Sequence, residues 1–213
     1  MFTNTIAVNP AVANSAGDGY SLLFGAIGSL AIHAVIPTQK PPYDLMTALT
    51  GKVRVVGRPR YELPDASGGK HCSLLLARTD DPRRTLPEFL DSRGVINGED
   101  SNSGMNLLRQ RLARLHRDGR FFDRVGISGS HRESLRWLRE GLADLAAVDS
   151  VTFAYLAQHA EAEIEGLRVV ERSVSSPTLP FITVASASDE QVEALRRVMN
   201  ETLPEVAHVL GLE

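Results

Sequence analysis

The sequence contains very little cysteine and no long uninterrupted apolar run. Cys72 is the single cysteine among 213 residues, which excludes an internal disulfide. It begins the apolar run CSLLLAR, so we expect an inert thiol that is buried in the core. The most apolar stretch, YSLLFGAIGSLAIHAVI, contains two glycines, two serines and a histidine within its 17 residues. A membrane-spanning helix needs about 20 apolar residues, so we expect a chain that is not inserted in a membrane.

A strong excess of one charge is also missing. The 23 basic and 26 acidic residues are interspersed and give a formal net charge of -3. Nucleic-acid-binding domains favour a basic stripe, so no nucleic-acid partner is expected. The six histidines lack the paired spacing of metal ligands, and neither usual type of Gly-rich nucleotide loop is present. We therefore expect no metal and no other cofactor.

Apolar, often β-branched runs alternate with amphipathic segments along the chain. The expected strands are residues 20–25, 53–57, 72–78, 94–97, 124–128, 145–149, 167–172 and 181–185. Ser130 with Glu133 and Ser188 with Gln191 have the spacing of helix capping boxes. This alternation predicts an α/β fold with mostly parallel sheets. The Gly- and Pro-rich segment 57–71 is expected to be an exposed loop within one lobe.

Residues 98–115, GEDSNSGMNLLRQRLARL, place small polar side chains between a predicted strand and a helix. The candidate site residues in this segment are Ser101, Asn102, Ser103 and Gly104. They lie after a strand and before a helix, where an open α/β sheet binds ligands. Free N–H groups and the dipole of a helix N-terminus favour an anion there. Plain helix capping explains the same residues, and the adjacent acids Glu99 and Asp100 disfavour an anion, so both interpretations remain open.

A second segment, GISGSHRESLRWLREG, repeats the order of strand, small polar loop and helix. It places Ser130 and His131 at another helix N-terminus, where the His131 ring can donate a hydrogen bond. A further predicted strand ends at Asp149 and leads into a helix that contains Thr152. Three such loops on adjacent strands converge on one edge of a sheet, which strengthens the anion interpretation. Capping of the second helix by Ser130 remains the alternative.

The same segment does not carry a convincing catalytic motif. GISGS is not a nucleophile elbow, because Ser130 stands where that motif requires glycine. Ser130 and His131 are sequence neighbours, and neighbouring side chains at a helix start usually diverge. No other pairing of a nucleophile with a base is visible, so we do not expect an enzyme.

Three segments together resemble the phosphate/phosphonate-binding receptors of bacterial ABC importers. They are NGEDSNSGMNLLRQRLA, GSHRESLRWLREGLADLAAVDSVTFAYLAQ and SSPTLPFITVA, and the resemblance covers residues 53–203. The family's D-x-S-x-S-G-like loop maps to 100–104, and its G-S-H-x-x-S-L helix start maps to 129–131 with Ser134. Its acidic-threonine turn maps to Asp149 with Thr152. The resemblance implies that these side chains bind a small oxyanion.

Residues 7–49 resemble a different family, the Bug-type receptors of tripartite tricarboxylate transporters, through GDGYSLLFG and PPYD. Both families share the type II periplasmic-binding fold, with two α/β lobes and a hinge. The strand–helix–strand unit with which both normally begin is missing, which implies an incomplete first lobe. We expect residues 1–78 with 173–213 to form that lobe and residues 79–172 to form the second. The first lobe then offers Ser29 and Tyr61 to the ligand.

The two resemblances imply capture of a small anionic ligand, followed by closure of the lobes, without catalysis. The expected partners are the membrane subunits of an ABC importer, and an exposed sheet edge makes a homodimer possible. The family implies a periplasmic location, whereas the start MFTNTIAVNP shows no signal peptide and indicates the cytoplasm if the chain is complete. A non-transporting relic, an intracellular anion sensor and an enzyme of phosphorylated small molecules remain as alternatives.

Overall fold

The computed structural model describes residues 51 and 53–213, together with the backbone of Leu23 and Phe24. Its strands are β1 (Leu23–Phe24), β2 (Val53–Gly57), β3 (Ala66–Ser67), β4 (Lys70–His71), β5 (Ser73–Arg78), β6 (Arg93–Ile96), β7 (Arg124–Ile127), β8 (Leu145–Asp149), β9 (Leu167–Arg172), β10 (Ser176–Pro177) and β11 (Phe181–Val184). Its α-helices are α1 (Leu107–Leu112), α2 (His131–Arg139), α3 (Ser150–His159) and α4 (Asp189–Leu210). Shorter helical turns lie at Leu86–Phe89, Asn102–Asn106 and Glu161–Glu163. The α/β class is confirmed.

The chain folds as two compact units. The central unit contains Pro64–Ala66 and His71–Ser176, and the terminal unit contains the described residues up to Leu63, Ser67–Lys70 and Pro177–Glu213. These bounds differ from the predicted lobe bounds because β5 pairs with β8 and β9 and so belongs with residues 79–172. The two-residue strands β3, β4 and β10 form a small three-stranded sheet. The assignment of the units to ligand-binding lobes stays a prediction.

The sheet of the central unit has the strand order β7-β6-β8-β5-β9. β6 runs parallel to β7 and β8, whereas β5 runs antiparallel to β8 and β9. In the terminal unit, β11 pairs antiparallel with both β1 and β2. The expectation of mostly parallel sheets was therefore wrong. A strand that is buried on both faces is a continuous apolar run whichever way it points, so the sequence of β5 does not reveal its direction.

β5 supplies apolar side chains to both faces of the central sheet. Leu75 packs in a cluster with Phe89 and Leu108, and Leu74 and Leu76 pack in a second cluster on the opposite side. Helix α2 contributes to the second cluster with side chains from its buried face. Burial of a leucine side chain stabilises a fold by about 1.5–3 kcal/mol. Cys72 is buried beside this strand, as expected, and burial raises the pKa of its thiol.

Segment 57–71 is not the exposed loop that its composition predicts. Leu63, Ala66 and His71 are buried, and β3 and β4 lie within the segment. Its glycines and prolines shape turns that bring these side chains inward. Composition identified the turns but did not identify the apolar residues between them as core.

The long helix α4 begins and ends at recognisable signals. Ser188 and Gln191 form the predicted capping box, and Arg54 forms an ion pair with Asp189 in the first turn. The helix ends at Gly211, which adopts a left-handed conformation with φ of 55°. A Cβ on Gly211 would lie 2.4 Å from the Leu63 side chain. Both the backbone angle and this contact therefore require glycine at the helix end.

The packing of β5 predicts the effect of truncating its central side chain. Leu75→Ala should lower the free energy of unfolding by about 2–5 kcal/mol, because it opens a cavity in a fully buried cluster. Leu142→Ala is the matched control, since half of that side chain is exposed, and it should cost less than about 1 kcal/mol. Urea unfolding followed by circular dichroism measures both. Equal losses would show that β5 is not central to the core.

Candidate functional site

Three of the predicted site loops follow neighbouring parallel strands of the central unit. The loop with residues 101–104 follows β6, His131 begins the helix after β7, and Asp149 ends β8. The carboxyl ends of parallel strands lie at the same edge of a sheet. The antiparallel strand β5 presents its amino end there, because Ser73 is the register partner of Asp149. This edge therefore gathers polar side chains from four strands.

In the first loop, helix capping and inward-facing polar groups occur side by side. Ser101 caps the turn at Asn102–Asn106, since its Oγ accepts a hydrogen bond from the Gly104 N–H at 3.0 Å. Asn102 and Ser103 are buried. The Asn102 Nδ2 donates to Ser176 Oγ at 3.0 Å, and Ser103 Oγ lies 2.9 Å from His131 Nε2. Capping thus describes Ser101 and leaves the next two side chains for other contacts.

Gly104 permits the close approach of an asparagine that the sequence analysis did not single out. Asn97 directly follows β6 and is buried. A Cβ on Gly104 would lie 1.7 Å from Asn97 Oδ1 and 3.2 Å from His131 Cε1. Any side chain at position 104 would therefore displace Asn97 from its place beside the His131 ring. The predicted approach of a ligand to the Gly104 backbone stays a prediction.

His131 is buried at the first position of α2 and is neutral at pH 7. The pKa of His131 is lowered to about 4, mainly by burial and also by the nearby His71. Attraction to Asp149 offsets part of this decrease. Over the described part of the chain, its Nδ1 has no hydrogen-bond partner. If the Ser103 hydroxyl donates to Nε2, then Nδ1 carries the ring proton, and if Nε2 donates, the hydroxyl proton is free. In either arrangement the pair keeps one donor for a third group.

Asp149 is buried and ionised, and both of its carboxylate oxygens are engaged. Oδ1 accepts the Thr152 N–H at 3.0 Å and so caps α3, and Oδ2 lies 2.5 Å from His71 Nδ1. Burial raises the pKa of Asp149, but attraction to His71, the contact with it and attraction to His131 together hold the pKa at about 2. The predicted acidic-threonine turn is therefore a helix cap that also anchors a histidine.

The polar side chains at this edge are called the polar cluster below, and they are His71, Ser73, Asn97, Asn102, Ser103, His131 and Asp149. Some of them were not predicted from the sequence, and some predicted residues lie elsewhere. His71, Ser73 and Asn97 were missed. The Ser73 Oγ donates to the Ser103 carbonyl oxygen at 2.8 Å. The only signal for His71 and Ser73 was their position on either side of Cys72, where the apolar run of β5 begins. This signal is informative only once β5 is known to be antiparallel.

The remaining predicted residues have other positions. Ser130 caps α2, as its Oγ accepts the Glu133 N–H at 3.1 Å. Tyr61 belongs to the terminal unit, where it forms a β-bridge with Leu212. Ser29 lies outside the described residues, as does most of the Bug-like segment 7–49.

The cluster is chemically suited to hydrogen bonding rather than to metal binding. None of its members is lysine or arginine, so an anion would be held by neutral donors. Within residues 53–213, no group of three or more His, Cys, Asp or Glu side chains is arranged to hold a metal ion. A surface depression of about 490 Å³, lined by Asp91, Arg117, Asp118, Arg120 and Asp123, shares no residue with the cluster.

The sequence matches a family described as the periplasmic phosphonate substrate-binding proteins of ABC transporters, over residues 48–210. The chain belongs to this family. The match confirms the resemblance found at residues 53–203, and no curated protein matches the sequence significantly. The family is one of substrate-binding proteins. In the part of the chain that the structure describes, no helix has the length and apolar character needed to span a bilayer.

Solved structures of periplasmic binding proteins share the fold of this phosphonate-family chain. PhnD1 from Prochlorococcus marinus, in complex with methylphosphonate, is 14% identical with a TM-score of 0.66, over 93% of this chain and 69% of that one. A binding protein of an ABC phosphonate transporter from Pseudomonas aeruginosa is 19% identical with a TM-score of 0.59, over 70% and 50%. The periplasmic binding protein BugD is 13% identical with a TM-score of 0.64, over 96% and 72%.

These likenesses confirm the periplasmic-binding fold. The chain spans 50%, 69% and 72% of the lengths of the three proteins.

The buried, neutral His131 predicts how stability depends on pH. The unfolded chain protonates this histidine near its ordinary pKa of 6.5, whereas the folded chain does so only near 4. The free energy of unfolding should therefore fall as the pH falls from about 6.5 to about 4, by a few kcal/mol. The stabilising ionisation of Asp149 is lost only below its ordinary pKa of 3.8 and does not enter this window.

Urea unfolding at several pH values measures this dependence. His131→Gln should flatten the slope, whereas the exposed His208→Gln should keep it. A slope that persists in His131→Gln would assign the effect to another group.

Proposed function

We propose that this chain is a solute-binding receptor that captures a small phosphonate- or phosphate-like oxyanion for an ABC importer. Membership of the phosphonate-binding family supports this function. The single observation that carries it is the buried Ser103–His131 pair, which keeps one proton donor at the edge where three parallel strands end. The chain then binds its ligand without transforming it.

Hydrogen bonds are sufficient for the affinity that a receptor needs. A hydrogen bond to a charged group contributes about 1.5–3 kcal/mol. A few such bonds exceed the cost of ordering the ligand and reach about -8 kcal/mol, which corresponds to micromolar binding. We assign Ser103, Asn102 and His131 to the ligand. Because both oxygens of Asp149 are engaged, we assign it to positioning His71 and α3.

The family also indicates where the receptor works and with which partners. The family is described as periplasmic substrate-binding proteins of ABC transporters, which supports the same location and partners for this chain. We therefore propose that the chain delivers its ligand to the membrane subunits of such an importer. The contributions of Tyr61 and Ser29 and the possible homodimer stay predictions.

Isothermal titration calorimetry with methylphosphonate, phosphate, sulfate and citrate tests the proposed function. Methylphosphonate or phosphate should bind with a micromolar dissociation constant. Ser103→Ala should weaken this binding at least tenfold, because it removes the partner of His131. Ser92→Ala is the control, since it removes another buried serine hydroxyl of the central unit. Heat from citrate alone would favour the tricarboxylate receptors, and no binding to any of the four would contradict the proposal.

A further inference from the structure

Two buried amide oxygens at the candidate site lack a hydrogen-bond donor. They are Asn97 Oδ1 and Asn102 Oδ1, unpartnered over the described residues, on side chains that are 4% and 3% exposed. The Asn102 amide is oriented by its Nδ2, which donates to Ser176 Oγ. An unpaired buried acceptor costs about 1–3 kcal/mol. The site therefore presents acceptors as well as the donors that an anion requires.

The two acceptors are not equivalent. Asn97 Oδ1 occupies the position that a Cβ of residue 104 would take, so it is packed against the Gly104 backbone. Asn102 lies between the capping residue Ser101 and Ser103, and only its Nδ2 is engaged. Asn102 Oδ1 is thus the acceptor left for a ligand, next in sequence to the Ser103 hydroxyl that pairs with His131.

An acceptor discriminates between oxyanions by their protons. A fully deprotonated oxyanion offers only lone pairs, which repel an amide oxygen, whereas an oxyanion that keeps one hydroxyl donates that proton. A monoanion also costs less to bury than a dianion where no lysine or arginine compensates the charge. Both arguments favour a ligand with one negative charge and one hydroxyl.

We propose that the site selects singly protonated oxyanions, phosphonates or phosphates that keep one hydroxyl, and that this hydroxyl donates to Asn102 Oδ1. This inference rests on the proposed function. The remaining ligand oxygens accept from the donor of the Ser103–His131 pair and from N–H groups at the starts of the helices. Sulfonates and sulfate have the same shape but carry no proton near neutral pH, so the site rejects them.

Calorimetry with methylphosphonate and methanesulfonate tests this selection, because the two ligands share size and shape and differ in the hydroxyl. Neither contains an amino group, so an ammonium donor cannot satisfy Asn102. Methylphosphonate should bind at least tenfold more tightly near neutral pH. Its affinity should fall about tenfold per pH unit above the pH at which it loses its second proton.

Among the described residues, the titratable groups that face this region are the neutral His131 and the Asp149–His71 pair. Methanesulfonate does not titrate in this range, so any pH dependence of its binding reports these protein groups and is subtracted. If methanesulfonate binds too weakly to be measured, methylphosphonate is titrated above its second pKa in buffers of different ionisation enthalpy. The difference in binding heat between these buffers gives the number of protons that the ligand takes up. No uptake would overturn the inference.

Two variants isolate the acceptor. Asn102→Leu removes Oδ1 together with the bond to Ser176, and it should reduce the preference for methylphosphonate to less than threefold. Ser176→Ala removes only that bond and should keep the preference. If Asn102→Leu does not fold, Asn102→Ser shortens the side chain and should give the same loss. A preference retained in the folded Asn102 variant would overturn the assignment to Asn102.

The outcomes separate the two proposals. Equal affinities of the wild type for methylphosphonate and methanesulfonate would overturn the selection of a protonated ligand and leave the receptor function standing. Absence of binding to either ligand and to phosphate would contradict the receptor function itself.

Discussion

The antiparallel pairing of β5 with β8 determines both the core and the candidate site of the central unit. Along β5, alternate leucines enter opposite apolar clusters, so a slip of one residue would send each of them to the wrong face. The same register sets Ser73 opposite Asp149 at the strand end. The polar edge is therefore positioned by core packing, and its geometry does not depend on the polar contacts alone.

Burial disfavours the charge of both ionisable groups that the sequence placed at this edge, but the two reach opposite charge states. Within residues 53–213, the His131 ring has a serine hydroxyl and no carboxylate in hydrogen-bond contact, so it stays neutral. Asp149 is equally buried, but His71 and a helix N–H contact it directly, so its charge is retained. The side of the cluster near Ser103 thus presents neutral donors and acceptors. Selectivity at such a surface depends on the match of hydrogen-bond partners rather than on net charge.

The strands and the helix starts were predictable because their signals are local. The apolar runs became β2, β5 to β9 and β11, and Ser130 and Ser188 cap helices as their spacing indicated. Strand direction and contacts between loops are not local. The serine that meets His131 is Ser103, which lies 28 residues earlier, and not the adjacent Ser130. His71 joins the cluster through its contact with Asp149, and Asn97 joins it through its contact at Gly104, and no short pattern encodes either contact.

Capping occurs residue by residue rather than throughout the loops. The Oγ atoms of Ser101 and Ser130 each accept a hydrogen bond from a backbone N–H, and these bonds hold the turns in place. The turn capped by Ser101 positions the two residues that follow it. Ser103 forms a hydrogen bond with His131, and the Asn102 amide donates to Ser176. Capping is therefore the means by which the loop orients the groups that we propose bind the anion. A motif of small polar residues is required because some of them serve the helix and the others face inward.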